Sequence, residues 1–325
     1  MLITRTPLRV SFLGGGSDFP EFYEEHGGAV LSCALAQHIY ITCHPLVESN
    51  EIMLKYSKLE LVKNAREIQH PVLREIVQKY DLTGIDISVS SDIPAGTGLG
   101  SSSAFTVGAL HTIRNYQGIS STKFDLALEA CEIELDHLKE PIGIQDQFAT
   151  SLGGFNFLEF RKNRDVQVNT IELTDELETF FAQNFLLVRV PGQRLANTIL
   201  REQRNNLMTK RGIAATKELM ELAIDLASNF TPDLRKMATA LNESWIIKKT
   251  LSGGISNSNI DDLYEYFLAH GVFGAKLLGA GSSGYMLIAA SSDTIDGVES
   301  DAKFKTLRLT IDRVGSQVVY DSSKF

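Results

Sequence analysis

Cysteine, proline and long apolar runs are all scarce in this sequence of 325 residues. Its three cysteines, Cys33, Cys43 and Cys131, are scattered, form no CxxC pair and are odd in number. That argues against a disulfide framework and makes a reducing cytoplasm the expected compartment. Only 8 prolines, with 43% hydrophobic and 22% charged residues, exclude collagen-like and disordered chains. No apolar run approaches the roughly 18 residues of a membrane span, so no membrane partner is expected. Met1 to Asp18 lacks the apolar core and small-residue cleavage site of a signal peptide. The 7 histidines make no HExxH and no metal spacing, which disfavours a zinc hydrolase. Positive charge is short too: 31 Lys plus Arg stand against 40 Asp plus Glu, a formal net charge of -9. A chain without a basic footprint is a poor partner for nucleic acid, although it can still bind an anion locally.

What is present is a globular α+β pattern. Leu8 to Leu13 reads as a short strand running into Gly14-Gly15-Gly16, and Ala29 to His44 is rich in β-formers. Ile85, Ile87 and Val89 alternate with Asp86, Ser88 and Ser90, the signature of a half-buried strand. Ala104 to Tyr116 and Thr122 to Lys139 read as helices, and Phe155 to Phe160 with Val166 to Leu173 as a strand pair. Beyond the apolar strand Phe185 to Val190 come long helical patterns over Ala196 to Asn229, Pro232 to Leu251 and Ile260 to His270, then strands at Tyr285 to Ala290 and Leu307 to Val319. Strands and helices mix without regular βαβ alternation. A soft boundary near residue 185 divides an N-terminal domain, 1–185, from a C-terminal domain, 186–325, with no low-complexity linker between them.

The most informative segment is Pro94-Ala95-Gly96-Thr97-Gly98-Leu99-Gly100-Ser101-Ser102-Ser103, which precedes a helix. Glycines at alternate positions free the backbone for positive φ and close approach. N–H groups at a helix start, with the helix dipole, make a ready phosphate site. A Walker A loop would need Lys where Gly100 stands, and a dinucleotide fingerprint needs G-x-G-x-x-G rather than G-x-G-x-G. A flexible loop with an ordinary serine cap is the plain alternative. On a helical wheel of Thr122 to Lys139, Asp125, Glu129, Glu132 and Asp136 form a solvated face. Glu134 falls instead in the apolar arc between Ala127 and Ala130, where a carboxylate needs a cation, a metal or donors. A structural ion pair and a metal site both satisfy that need. Asp146, in Gly143-Ile144-Gln145-Asp146-Gln147-Phe148, is open to two readings, a helix cap or a catalytic carboxylate.

The glycine-serine segment resembles the second signature of the GHMP kinases, the superfamily of galactokinase, homoserine kinase, mevalonate kinase and phosphomevalonate kinase. Pro7-Leu8-Arg9-Val10-Ser11-Phe12-Leu13-Gly14-Gly15-Gly16-Ser17-Asp18 resembles the first signature, and Lys276-Leu277-Leu278-Gly279-Ala280-Gly281-Ser282-Ser283-Gly284-Tyr285 the third. The resemblance implies an N-terminal domain like ribosomal protein S5 domain 2, a ferredoxin-like C-terminal domain and an active site between them. It implies ATP with its phosphates on Gly96 to Ser103, and Mg²⁺ on Glu134 and Ser102. The Gly-Ile-Gln-Asp-Gln stretch looks like the galactokinase segment whose Asp accepts the proton of the sugar hydroxyl, which implies Asp146 as base. The family's acidic metal ligand lies twelve residues upstream, at Glu134, the residue that the wheel singles out independently. Arg9 matches the family's arginine near the transferring phosphoryl group; a surface arginine at a strand edge is the plain alternative. The glycine density of Gly279 to Gly284 lets backbone approach bound ligands, Gly281 the acceptor among them.

For the acceptor, the resemblance places Gly15, Gly16, Ser17 and Asp18 beside Asp146. Galactokinases carry Gly-Glu-His-Thr-Asp where this chain reads Gly14-Gly15-Gly16-Ser17-Asp18, so the Asp is kept and the Glu is replaced by Gly15. These runs look most like sugar-1-kinases acting on D-glycero-D-manno-heptose 7-phosphate, whose 1,7-bisphosphate product feeds GDP-heptose synthesis, and like fucokinases. A distal phosphate would need a cation, for which Arg194 and Arg201 are candidates. A galactose-type acceptor, a mevalonate-type acceptor and a sensor that binds sugar and nucleotide without turnover are the alternatives, and the sequence leaves a homodimer open.

Overall fold

The computed structural model describes residues 1–192 and 196–324. The N-terminal half contains β1 (Leu2–Leu13), α1 (Pro20–His26), β2 (Gly28–Pro45), β3 (Ile52–Lys55), β4 (Leu59–Val62), α2 (Pro71–Lys79), β5 (Ile85–Ser91), α3 (Ser101–Tyr116), α4 (Lys123–Cys131), α5 (Gln145–Leu152), β6 (Phe155–Arg161) and β7 (Asp165–Ile171). There follow α6 (Asp175–Asn184), β8 (Phe185–Val190), α7 (Ala196–Asn206), α8 (Lys210–Ala227), α9 (Leu234–Lys249), α10 (Ser258–Ala269), β9 (Gly274–Leu277), β10 (Gly284–Ala289), α11 (Ser292–Ser300), β11 (Thr306–Arg308) and β12 (Gln317–Asp321).

The long strand β2 organises the first sheet. One edge pairs antiparallel with β1, from Leu2 opposite Cys43 to Leu13 opposite Leu31. The other edge changes partner, taking β6 along residues 28–33 and β5 along residues 39–45. The β1 register shifts between Pro7 and Leu8, at a residue with no N–H to give the ladder. The second sheet has the order β11-β8-β10-β9 and is antiparallel throughout its pairs. It begins at Phe185, while the last strand of the chain, β12, returns to pair with β1 of the first sheet.

Aromatic rings join the two sheets. Phe12 of β1 lies 5.6 Å from Phe155, 5.6 Å from Phe181 and 5.9 Å from Phe185, centroid to centroid, with all four rings buried. Phe185 opens the second sheet, so this cluster sets one lobe against the other. Cys33, Cys43 and Cys131 are buried and free, as their spacing led us to expect. Among the described residues, no helix is long and apolar enough to cross a membrane.

Several elements differ from the sequence expectation. The helix expected over Thr122 to Lys139 is α4, closed at its start by a reciprocal Thr122–Asp125 capping box, followed by a π-helical turn over Glu132–His137. Glu129, expected on the solvated face, is buried: Arg114 of α3 at 2.6 Å, Lys79 at 2.9 Å and the Tyr80 hydroxyl at 2.7 Å enclose it. A wheel of one helix carries no trace of cations supplied by others. The pattern over Ala196 to Asn229 splits into α7 and α8, because the Thr209 hydroxyl caps a fresh helix by accepting from Gly212 N–H. Leu307 to Val319 is two strands in two different sheets, with Gly315 at φ +78 in the connection.

Phe12→Ala is expected to cost about 3–5 kcal/mol of stability, the usual loss for a fully buried Phe. Chemical denaturation checks this, and a change below about 1 kcal/mol would show that the aromatic cluster does not hold the lobes together.

Candidate active site

The cleft begins where β5 ends. The chain crosses from Asp92 to Gly100 and enters α3 at Ser101, with Gly100 at φ 73, ψ 21 in the left-handed region. Two glycines there meet a hard requirement. A Cβ on Gly98 would stand 2.6 Å from the Leu278 carbonyl oxygen, and one on Gly100 2.8 Å from Arg9 Cγ. The third glycine segment is packed as closely from the other lobe, a Cβ on Gly279 falling 2.4 Å from Gly98 Cα. Backbone therefore lies on backbone across the lobe boundary. Pro94, Ala95, Gly96, Gly98, Gly100, Ser101, Ser102 and Ser103 line a cleft of about 1190 Å³. Thr97 and Leu99 do not; both side chains are turned into the interior. Left-handed backbone at Gly96, Gly98 and Gly100 bends the chain around these two buried residues.

Arg9 and Asp146 meet in the middle of this cleft. Arg9 Nε donates to Asp146 Oδ1 at 2.6 Å and an η nitrogen to Oδ2 at 2.7 Å, while the other η nitrogen donates to the Gly98 carbonyl at 2.6 Å. The Arg9 main-chain N–H donates to the Leu99 carbonyl, so β1 is fastened to the loop twice. Asp146 sits in the first turn of α5 and its side chain is 22% exposed, toward the cleft. The fork takes one lone pair of each carboxylate oxygen and leaves one on each to accept a proton or a hydroxyl.

Glu134 lies in the π turn with 1% exposure. Gln147 Nε2 donates to it at 2.6 Å, and the Ser103 and Thr106 hydroxyls at 2.9 Å each. Ser102 is more distant, at 3.5 Å, and exposed. No described cation pairs with Glu134, and burial pushes its carboxyl up to about 7. A buried carboxylate with neutral donors and an exposed hydroxyl beside it fits a hard divalent cation held mainly by water and phosphate oxygens. Among the described residues no cluster of three or more His, Cys, Asp or Glu side chains could hold a metal by protein ligands alone.

On the acceptor side, Gly15, Gly16, Asp18, Gln145 and Gly281 line the cleft. Asp18 accepts from the N–H groups of Gly16 at 2.9 Å and Gln145 at 3.3 Å, and burial raises its pKa. Gly143 has no alternative there, since a Cβ would meet Asp18 Oδ2 at 1.9 Å. The Oε1 of Gln145 is buried and unpaired. Ser17 departs from the expectation: its hydroxyl donates to the Gly14 carbonyl and accepts from Ala29 N–H, which turns it away from the cleft. Arg194 lies outside the described residues, and Arg201 is exposed on α7 and does not line the cleft. Sequence reasoning missed lining residues from the C-terminal half, among them Gln203, Ser244 and Lys248, whose helices read as ordinary amphipathic ones. It also missed an aromatic wall at the opposite end, where His70 lies 5.0 Å from Tyr56 and 4.7 Å from Phe105 between ring centroids.

Residues 66–154 match the family model of the GHMP kinases N terminal domain, and residues 217–303 match that of the GHMP kinases C terminal. The chain is similar to the D-glycero-alpha-D-manno-heptose 7-phosphate kinase of Campylobacter jejuni, 27% identical over 301 residues and 87% of each chain. It is similar to the bifunctional fucokinase/GDP-fucose pyrophosphorylase of Arabidopsis thaliana, 25% identical over 314 residues, 87% of this chain and 29% of that protein. A solved D-glycero-D-manno-heptose 1-phosphate kinase from Bacteroides thetaiotaomicron shares the fold, with a TM-score of 0.80 at 20% identity over 99% of this chain and 100% of that one.

The Glu134 environment sets a pH dependence. Below its ordinary value of 4.5 the group is protonated in folded and unfolded chains alike. From there to about 7 the unfolded chain releases the proton and the folded chain keeps it, so stability falls as pH rises and levels off above that window. Metal-free protein is therefore expected to lose thermal stability relative to Glu134→Gln between pH 5 and pH 8. Parallel unfolding curves for the two proteins would mean that the carboxylate is already ionised at the lower pH.

Proposed function

The chain belongs to the GHMP kinases, ATP-dependent phosphotransferases with an alcohol acceptor, and from that premise we propose that it is a sugar-1-kinase of heptose 7-phosphate. The reaction would transfer the terminal phosphoryl group of ATP to the anomeric hydroxyl of D-glycero-D-manno-heptose 7-phosphate, giving the 1,7-bisphosphate. The observation that carries this reading is the Arg9–Asp146 fork, set between the glycine-serine loop and the Gly15–Asp18 arc in one cleft. The similarity to the Campylobacter jejuni enzyme supports the acceptor. So does Gly15, whose missing side chain leaves Gln145 free to meet a sugar hydroxyl with its unpaired Oε1. The similarity to fucokinase favours, as second reading, another sugar-1-kinase.

In this reading the phosphates lie on the N–H groups of Gly96 to Ser103, and the base sits toward Tyr56, His70 and Phe105. The lobe built on the first sheet, which takes in β12 from the end of the chain, and the lobe built on the second sheet close on the two ligands from either side. Asp146 takes the proton of the anomeric hydroxyl as that oxygen attacks phosphorus and the bond to the ADP leaving group breaks. An anomeric hydroxyl is more acidic than an ordinary alcohol, which suits a carboxylate held by a guanidinium. Arg9 keeps Asp146 aimed at the acceptor and presents fixed positive charge to the transferring group. Glu134 and Ser102 would hold Mg²⁺, which when bound offsets charge on the phosphate oxygens.

Asp146→Ala is expected to lower kcat by about 10²–10⁴-fold while the nucleotide Kd stays within about threefold of wild type. Steady-state kinetics and nucleotide titration check it, and near-normal turnover would remove Asp146 as base. Glu134→Gln should raise the magnesium concentration needed for half-maximal rate; an unchanged requirement would reassign the ligand. Phosphorus NMR of the product identifies the position phosphorylated. If no sugar, phosphorylated or not, stimulates ADP release, the chain is a sensor and not a kinase.

A further inference from the structure

The C-terminal wall of the cleft carries an unexplained concentration of positive charge. Lys276 of β9 is 4% exposed, and its ammonium donates to the Phe12 carbonyl at 2.6 Å. Lys248, near the end of α9, donates to the carbonyls of Leu277 at 2.9 Å and Gly279 at 2.5 Å. Both residues line the cleft, and neither has a carboxylate partner among the described residues. Each ammonium has three N–H donors, so one on Lys248 and two on Lys276 remain after these carbonyls. One turn before Lys248 on the same face of α9, Ser244 is fully buried, lines the cleft, and has a hydroxyl without a partner among the described residues.

We propose that Lys248, Lys276 and Ser244 form a binding site for a phosphate dianion on the C-terminal wall of the cleft. A clamp on the third glycine turn would explain the two carbonyls held by Lys248. It would not explain why a second ammonium and an unpaired hydroxyl face the same space. The electrostatics agree. Burial and the charge of Arg9 push Lys248 down to about 7, and burial, Lys248 and Arg9 together push Lys276 well below the usual lysine range. Arg9 is answered by Asp146, while Asp18, the other carboxylate of the acceptor arc, is itself shifted toward its neutral form. The charge deficit therefore sits on the lysines, and a dianion is the ligand that would restore both protons.

The phosphate has two sources within the proposed reaction, the distal phosphate of the acceptor or the phosphoryl group in transfer, and this assignment rests on the kinase reading. The full chain is titrated with inorganic phosphate by calorimetry at pH 8 in two buffers of different ionisation enthalpy, as wild type and as Lys248→Met, Lys276→Met and Ser244→Ala. Wild type is expected to bind with net proton uptake. Each lysine variant should bind about tenfold more weakly, as for a lost hydrogen bond to a charged group, with reduced uptake. Lys248→Arg, which keeps the charge, should recover most of the affinity and serves as the informative variant if Lys248→Met does not fold. Kinetics then separate the sources. A KM raised only for a phosphorylated acceptor assigns the distal phosphate, and a kcat lowered equally for phosphorylated and plain sugars assigns the transferring group. Folded lysine variants with wild-type phosphate affinity and kinetics overturn the site alone. Lysine-dependent phosphate binding without turnover of any sugar overturns the kinase reading alone.

Discussion

The three hydrogen bonds of one guanidinium hold the cleft together. Arg9 belongs to β1, its carboxylate partner Asp146 to α5, and its carbonyl partner Gly98 to the loop before α3. These elements are far apart along the chain, and each contributes what the others lack. The strand supplies a rigid origin, the loop supplies a carbonyl and backbone that can be approached closely, and the helix start supplies a carboxylate. A fixed fork between charged groups is strong because both partners are oriented before any ligand arrives. The glycines follow from this. Gly100 has no Cβ because Arg9 Cγ lies where it would go, and Gly98 has none because the opposite lobe lies there.

The cleft carries ionisable groups on both walls, and among the described residues they are not all paired within the protein. Among the described residues, Glu134 has neutral donors and no cation, while Lys248 and Lys276 have carbonyls and no anion. Burial drives the carboxyl and the amines toward their neutral forms. Such an arrangement costs stability unless ligands complete it, and ligands of opposite charge then gain what the empty protein forgoes. The divalent cation and the phosphate proposed above have the charges that would complete it.

The legible part of the site was the part written in local rules. Glu134 stood out because a carboxylate in an apolar arc violates the helical pattern, and it proved to be 1% exposed. The glycine-serine loop stood out because its glycine spacing serves backbone geometry that few other sequences need. Glu129 was misread on the same helix, since its partners Arg114, Lys79 and Tyr80 come from α3 and the end of α2. Ser17 was misread because a hydroxyl in a signature segment can serve the turn instead of the ligand, as it does against Gly14 and Ala29. Lys248 gave no signal at all, because a lysine at the end of an amphipathic helix ordinarily reaches solvent.

The amino-acid sequence alone determined the α+β class, the phosphate-type loop, the family likeness and the identity of the two carboxylates worth attention. Each of these rests on composition, period or short spacing, which are properties of neighbouring residues. Only the tertiary structure decided that Arg9 grips Asp146, that Glu134 has no cation beside it among the described residues, that β12 pairs at the edge of the first sheet and that lysines from α9 and β9 line the cleft. Those facts depend on distances between residues remote in the chain. Burial and electrostatics act through space, and folding alone sets which groups share it.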